Sequence, residues 1–115
     1  MNKEKMLALV EGQLQAYNLR DIEKFCLFFH PEVKTFKLSD QSLICEGINQ
    51  FKIIYQKRFS ENPSLHCELK SRIVLGESII DEEWVTGLTG DLPPSHVVAI
   101  YSFRDNLIDR VWFTR

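Results

Sequence analysis

Between Leu65 and Phe113 the hydrophobic period is two, whereas Met6–Tyr17 and Ile48–Phe59 carry that of a helix. This switch constrains the fold more than any other feature, because a period of two turns alternate side chains to opposite faces of a strand. Four strands are predicted, over Leu65–Leu75, Ser78–Leu88, His96–Arg104 and Leu107–Phe113. Gly76-Glu77 and Asp105-Asn106 have the size and chemistry of two-residue hairpin turns. The stretch Thr89–Ser95 is a longer loop, whose Pro93 and Pro94 lack the N–H that a ladder needs.

The first half reads differently. Met6, Val10, Leu14 and Tyr17 form one stripe of a first helix, broken at Asn18-Leu19-Arg20. Asp21 is an N-cap for a second, shorter helix with Ile22, Phe25, Cys26 and Phe29 on its buried face. Pro31 ends that helix and leaves His30 at its terminus, where an imidazole suits the helix dipole. Val33 to Leu38 is a strand with Val33 and Thr35 on one face and Lys34, Phe36 and Leu38 on the other. Ser39–Gln41 turns the chain into a returning strand, Ser42–Cys45. A third helix follows Gly47, with Ile48, Phe51, Tyr55 and Phe59 in one stripe and Lys52, Lys57 and Arg58 as its wet face. Asn62-Pro63 closes it. Helices first and strands later imply an α+β fold, with the helices on one face of an antiparallel sheet. A sheet that curls around them leaves a pocket on its concave side. No repeat or linker divides the chain, so residues 1–115 are read as one domain.

Composition excludes several classes. Fourteen basic and sixteen acidic residues give a formal charge of −2, without the basic stripe of nucleic-acid binders. No apolar run reaches the length of a membrane span or a signal peptide's core. Cys26, Cys45 and Cys67 are odd in number and widely spaced, so free thiols in a soluble, cytoplasmic protein are expected. His30, His66 and His96 lie in no metal-binding pattern, and neither a nucleophile elbow nor a phosphate loop occurs. No metal and no cofactor are expected.

The order helix-helix-strand-strand-helix and four strands resembles the cone-shaped fold of the nuclear-transport-factor-2-like superfamily, in its SnoaL-like or ketosteroid-isomerase-like branch. Tyr17-Asn18-Leu19-Arg20-Asp21-Ile22-Glu23 is similar to that family's junction between its first two helices. Phe28-Phe29-His30-Pro31-Glu32-Val33 resembles the lead into its first strand, and Glu46-Gly47-Ile48-Asn49-Gln50-Phe51 the start of its third helix. Ile108-Asp109-Arg110-Val111-Trp112-Phe113 resembles its last strand. The resemblance implies three helices in the concave face of a curved sheet, a small-molecule pocket, and a homodimer through the convex face. Ketosteroid isomerases use an aspartate base with a tyrosine and a protonated aspartate as donors. Here Gln13 fills the tyrosine position, Lys37 stands near the base position with Asp40 three residues on, and Tyr101 fills that of the protonated aspartate. The steroid-isomerase activity is therefore not carried over.

The candidate site follows from the alternation and the alignment together. Glu82, Tyr101 and Arg110 are the candidate catalytic residues, and Tyr17, Phe36, Tyr55, Trp84 and Trp112 the candidate ligand-binding ones. The run Asp81-Glu82-Glu83 puts a carboxylate on each strand face, so either Glu82 or the pair Asp81 and Glu83 faces the cone. The expected ligand is a small hydrophobic molecule, isomerised, hydrated, dehydrated or otherwise changed by proton transfer. The alternative is a non-catalytic module whose aromatics fill the cone.

Overall fold

The computed structural model describes residues 1–114. Asn2 starts helix α1 (Lys3–Leu19) by accepting a hydrogen bond from the Lys5 N–H at 2.8 Å. Arg20 ends it in the left-handed region, at φ 54°, where its own N–H reaches the carbonyls of Ala16 and Tyr17. Asp21 caps α2 (Ile22–Cys26) through the Lys24 N–H at 3.1 Å. That helix is shorter than its apolar pattern predicts: Phe29 already begins strand β1 (Phe29–Lys37). His30 is thus a strand residue, and its Nε2 lies 3.1 Å from Asp105. Pro31 is exposed where the register of β1 slips between Phe29 and Lys34, so its missing N–H breaks no regular ladder.

The remaining elements are β2 (Leu43–Glu46), α3 (Ile48–Glu61), β3 (His66–Leu75), β4 (Ser78–Thr86), β5 (Ser95–Arg104) and β6 (Leu107–Phe113). They form one six-stranded sheet in the order β2-β1-β6-β5-β4-β3. Only β1 and β6 run parallel; every other neighbouring pair is antiparallel. Helix α1 packs on β3, β4 and β6, and α3 on β1 and β2, which leaves the inner face of the cone under the helices. The core is rich in aromatics, with Phe25, Phe29, Phe51, Tyr55 and Phe59 all buried. No helix among the described residues is long and apolar enough to cross a membrane.

Two polar devices fasten α1 to the sheet. β3 is an edge strand, with backbone groups open to a neighbour. Asn18 takes that place: its Nδ2 donates to the Cys67 carbonyl at 3.0 Å and its Oδ1 accepts from the Cys67 N–H at 2.7 Å. Deeper in the fold, Asp81 is completely buried, and Arg72 grips it with Nε and Nη2 at 2.7 and 2.9 Å. Arg72 also bonds Glu11 of α1 through Nη1. Arg72 can point inward because β3 carries an extra residue near Lys70: Leu69 pairs with Glu83, whereas Ser71 pairs with Glu82.

Removing one member of a buried pair strands the other's charge. Arg72→Met is expected to lower unfolding stability by about 3–5 kcal/mol in urea titration. The double variant Arg72→Met, Asp81→Leu should recover much of that loss, because no unpaired charge then remains.

Candidate functional site

Side chains from all three helices and from the sheet meet around an interior cavity of about 60 Å³. Gln13 and Tyr17 reach it from one face of α1, and Phe51, Tyr55 and Arg58 from one stripe of α3. Tyr17, Phe25, Phe51 and Tyr55 build an aromatic wall, with Phe51 and Tyr55 centroids 4.6 Å apart and Phe25 stacked on Phe51 at 5.5 Å. Cys67, Glu83 and Tyr101 supply polar atoms from the sheet.

The polar atoms are ordered. Gln13 Nε2 donates to the Tyr101 hydroxyl at 3.1 Å and to the Val10 carbonyl at 3.0 Å. Burial, and then the neighbouring Glu83 and Asp81 carboxylates, raise the Tyr101 phenol well above its ordinary pKa. It stays protonated at physiological pH and keeps a proton to donate. Burial also pushes the Cys67 thiol far up, and Glu83 adds to the shift. That thiol is no thiolate near neutral pH, so nucleophilic catalysis by Cys67 does not fit. The Arg58 Nε donates to the Tyr17 hydroxyl at 2.8 Å. A second, outer cavity of about 240 Å³ shares Tyr55, Arg58 and Phe113 with the first. No group of three or more His, Cys, Asp or Glu able to hold a metal ion occurs among the described residues.

Of the residues singled out in the sequence, Tyr17, Tyr55 and Tyr101 come together around the cavity. Glu82, Arg110, Phe36, Trp84 and Trp112 do not, and their expected position is corrected. Ile79 pairs with Tyr101, and Asp81 and Glu83 share its inward face, so Glu82 and Trp84 point outward. Glu82 instead accepts from Ser71 Oγ at 2.8 Å and meets His96 Nε2 at 2.6 Å, contacts that hold its carboxyl below the usual range. Trp84 stacks on His96 at 4.6 Å, and Trp112 on Phe36 at 5.5 Å. Arg110 lies over the same Phe36 ring, 5.9 Å from its centroid. The reason is that β4 offers similar apolar residues at both parities, Ile79 and Val85 inside against Ile80 and Trp84 outside. Alternation alone cannot choose between them.

Two polar cavity residues with a bearing on the chemistry, Arg58 and Gln13, lie outside the expected site. Arg58, expected on the wet face of α3, is half-buried at the cavity wall. Its spacing of three and seven from Tyr55 and Phe51 carried the signal, because both lie on the buried stripe. Gln13 was visible only as the residue aligned with a tyrosine. It and Tyr101, the two positions aligned with the isomerases' donors, do meet, whereas Lys37 is exposed.

Three helices on a six-stranded mixed sheet, with an aromatic cavity between them, define a cone-shaped class of α+β protein. The chain belongs to the SnoaL-like domain family, whose model matches residues 10–111. It is similar in structure to an uncharacterised cystatin-fold protein from Novosphingobium aromaticivorans, with 25% identity, TM-score 0.84 and coverage of 95% of this chain and 97% of the other. A candidate polyketide cyclase from Sinorhizobium meliloti is 16% identical, with TM-score 0.78 and coverage of 96% and 98%. A ketosteroid-isomerase-like-fold protein from Catenulispora acidiphila, solved in complex with trimethylamine, is 12% identical, with TM-score 0.76 and coverage of 93% and 84%. No curated protein matches the sequence significantly.

The thiols provide a check on the cavity's burial. Cys45 is buried, which pushes it up to about 11, and Cys67 is shifted further, while Cys26 is only half-buried. Iodoacetamide at pH 8 should modify the native protein at Cys26 alone and the denatured protein at all three, as read by peptide mass spectrometry. Rapid native labelling of Cys67 would contradict a closed inner wall.

Proposed function

We propose that this chain binds a compact, largely apolar molecule in the inner cavity and moves a proton on it. The observation that carries the reading is a carboxylate and a phenol, Glu83 and Tyr101, only 6% and 4% exposed and lining the same aromatic cavity. In this reading Glu83 takes the catalytic place assigned to Glu82 in the sequence. It accepts a proton from a carbon beside a carbonyl, and the C–H electron pair moves onto the carbonyl oxygen. Tyr101, oriented by Gln13, donates a hydrogen bond to that oxygen, and Glu83 returns the proton to the same or a conjugated carbon. No oxidant or cofactor is needed. The trimethylamine complex of the Catenulispora protein supports compact ligands for this fold.

The test is exchange of α-hydrogens of small ketones in D₂O, followed by proton NMR. Glu83→Gln should lower the rate by about 10²–10⁴-fold, the usual range for removing a general base. Tyr101→Phe should lower it by about 10²-fold or more, as for loss of a donor at a developing oxyanion. A parent protein that exchanges no ketone faster than buffer would sink the catalytic reading. The size of the cavity favours the alternative at that point: about 60 Å³ holds only a handful of water-sized spheres, as expected of a binding module with a filled cone.

We also propose a homodimer through the outer sheet face. Ile73, Ile80, Ile100, Trp112, Phe36 and Leu43 pair successively across all six strands there. Ile73 and Leu43 at the ends of this row are 56% and 50% exposed, an apolar stripe of the kind that marks an interface. Sedimentation equilibrium at micromolar protein should give twice the monomer mass, and Ile100→Glu should return the protein to monomer. A monomer mass for the parent would overturn this.

A further inference from the structure

The cation at the wall of the cavity goes unused in the proton-transfer scheme. Arg58 lines both the inner and the outer cavity and is the one charged residue they share. Its Nε donates to the Tyr17 hydroxyl at 2.8 Å, and that bond holds the guanidinium plane. Among the described residues no carboxylate lies within ion-pair distance of it, although Arg72 and Arg104 each have two such partners. The other charges around the outer cavity, Lys57 and Glu61, offset one another. Arg58 is therefore the surplus charge there, and Glu83 is the carboxylate of the inner wall.

A guanidinium presents five N–H donors in a planar fork that matches a carboxylate. One is taken by Tyr17, which leaves the two terminal amino groups for an incoming acid. From this geometry we infer that the ligand is a small carboxylic acid, its carboxylate held by Arg58 and its apolar body lying between the aromatic walls toward Tyr101. Such an orientation keeps the ligand's charge on the Arg58 side and leaves its uncharged carbons to meet Glu83. Arg58 is a binding residue in this scheme, and Tyr17 positions it. The inference rests on the proposed small-molecule site and adds the class of molecule that the site selects.

The test compares benzoate with benzamide, which has the same shape and no charge, by isothermal titration calorimetry on the full chain. Parent protein should bind benzoate about ten- to a hundred-fold more tightly, the factor expected of charge-assisted hydrogen bonds. Arg58→Met should erase that preference, weakening benzoate far more than benzamide, whose carbonyl loses only an uncharged acceptor's bond. Lys70→Met, which removes an exposed charge from β3 outside the cavity, should keep the preference. Tyr17→Phe, in which the ring stays and the fork loses its anchor, should weaken benzoate several-fold more than benzamide, and serves if Arg58→Met does not fold. Equal binding of the two probes by the parent, or a preference surviving in Arg58→Met, overturns the inference and leaves the small-molecule site standing. If neither probe binds the parent, both the inference and the site fail.

Discussion

Asp81 is fully buried in the middle of β4, and a carboxylate there is tolerated only because Arg72 reaches it from the neighbouring strand with two hydrogen bonds. Both residues must point inward for that contact to form. Once they do, alternation decides everything else on β4: Ile79, Glu83 and Val85 go inside with Asp81, and Ile80, Glu82 and Trp84 go outside. A slip of one residue would bury Glu82 and Trp84 and expose Asp81, leaving Arg72 without its partner. The ion pair thus acts as a register lock, and the polar character of the cavity follows from it. Glu11 extends the same network to α1, so the helix carrying Gln13 and Tyr17 is tied to the strand carrying Glu83.

Aromatic rings from the helices and β1 line much of the cavity. Phe25, Phe29, Phe51 and Tyr55 pack against one another at centroid distances of 4.4 to 5.5 Å, which makes a stiff wall between α2, α3 and β1. Polar atoms line the cavity as well, where Gln13 joins Tyr101, where Arg58 joins Tyr17 and where Glu83 and Cys67 come up from the sheet.

The two faces of the sheet divide the remaining work. Inward residues build the core and the site. Outward residues form an apolar row that crosses all the strands, bordered by the Ser71–Glu82–His96 contacts and by Arg110 over Phe36. The tryptophans, Trp84 and Trp112, belong to this outer face. Their fluorescence is therefore placed to report on the sheet surface rather than on the cavity.

The amino-acid sequence by itself determined the element order, the α+β class and the family. These rest on local physics: the 3.6 and 2.0 periods, the Asp21 cap, the two-residue turns at Gly76-Glu77 and Asp105-Asn106, and short stretches such as Tyr17–Glu23. Tyr17 and Tyr55 were legible as inward residues because each lies on an apolar helical stripe, and Tyr101 because it aligns with a donor position of the isomerases. The end of α2 was not legible, since Phe29 fits a helical stripe as well as a strand and only pairing with Ile108 of β6 draws it into the sheet. Nor was the choice among Asp81, Glu82 and Glu83. Both faces of β4 are apolar, so no one-dimensional pattern ranks them; the answer needed Arg72, brought inward by an extra residue in β3, to stand opposite Asp81. Arg58 was misjudged for a related reason: a charged side chain reads as solvated until the tertiary structure supplies a hydroxyl, here that of Tyr17, to hold it at a cavity wall. Local periodicity sets which elements form. Which polar groups can be buried depends on partners distant in sequence, and those only the folded chain brings together.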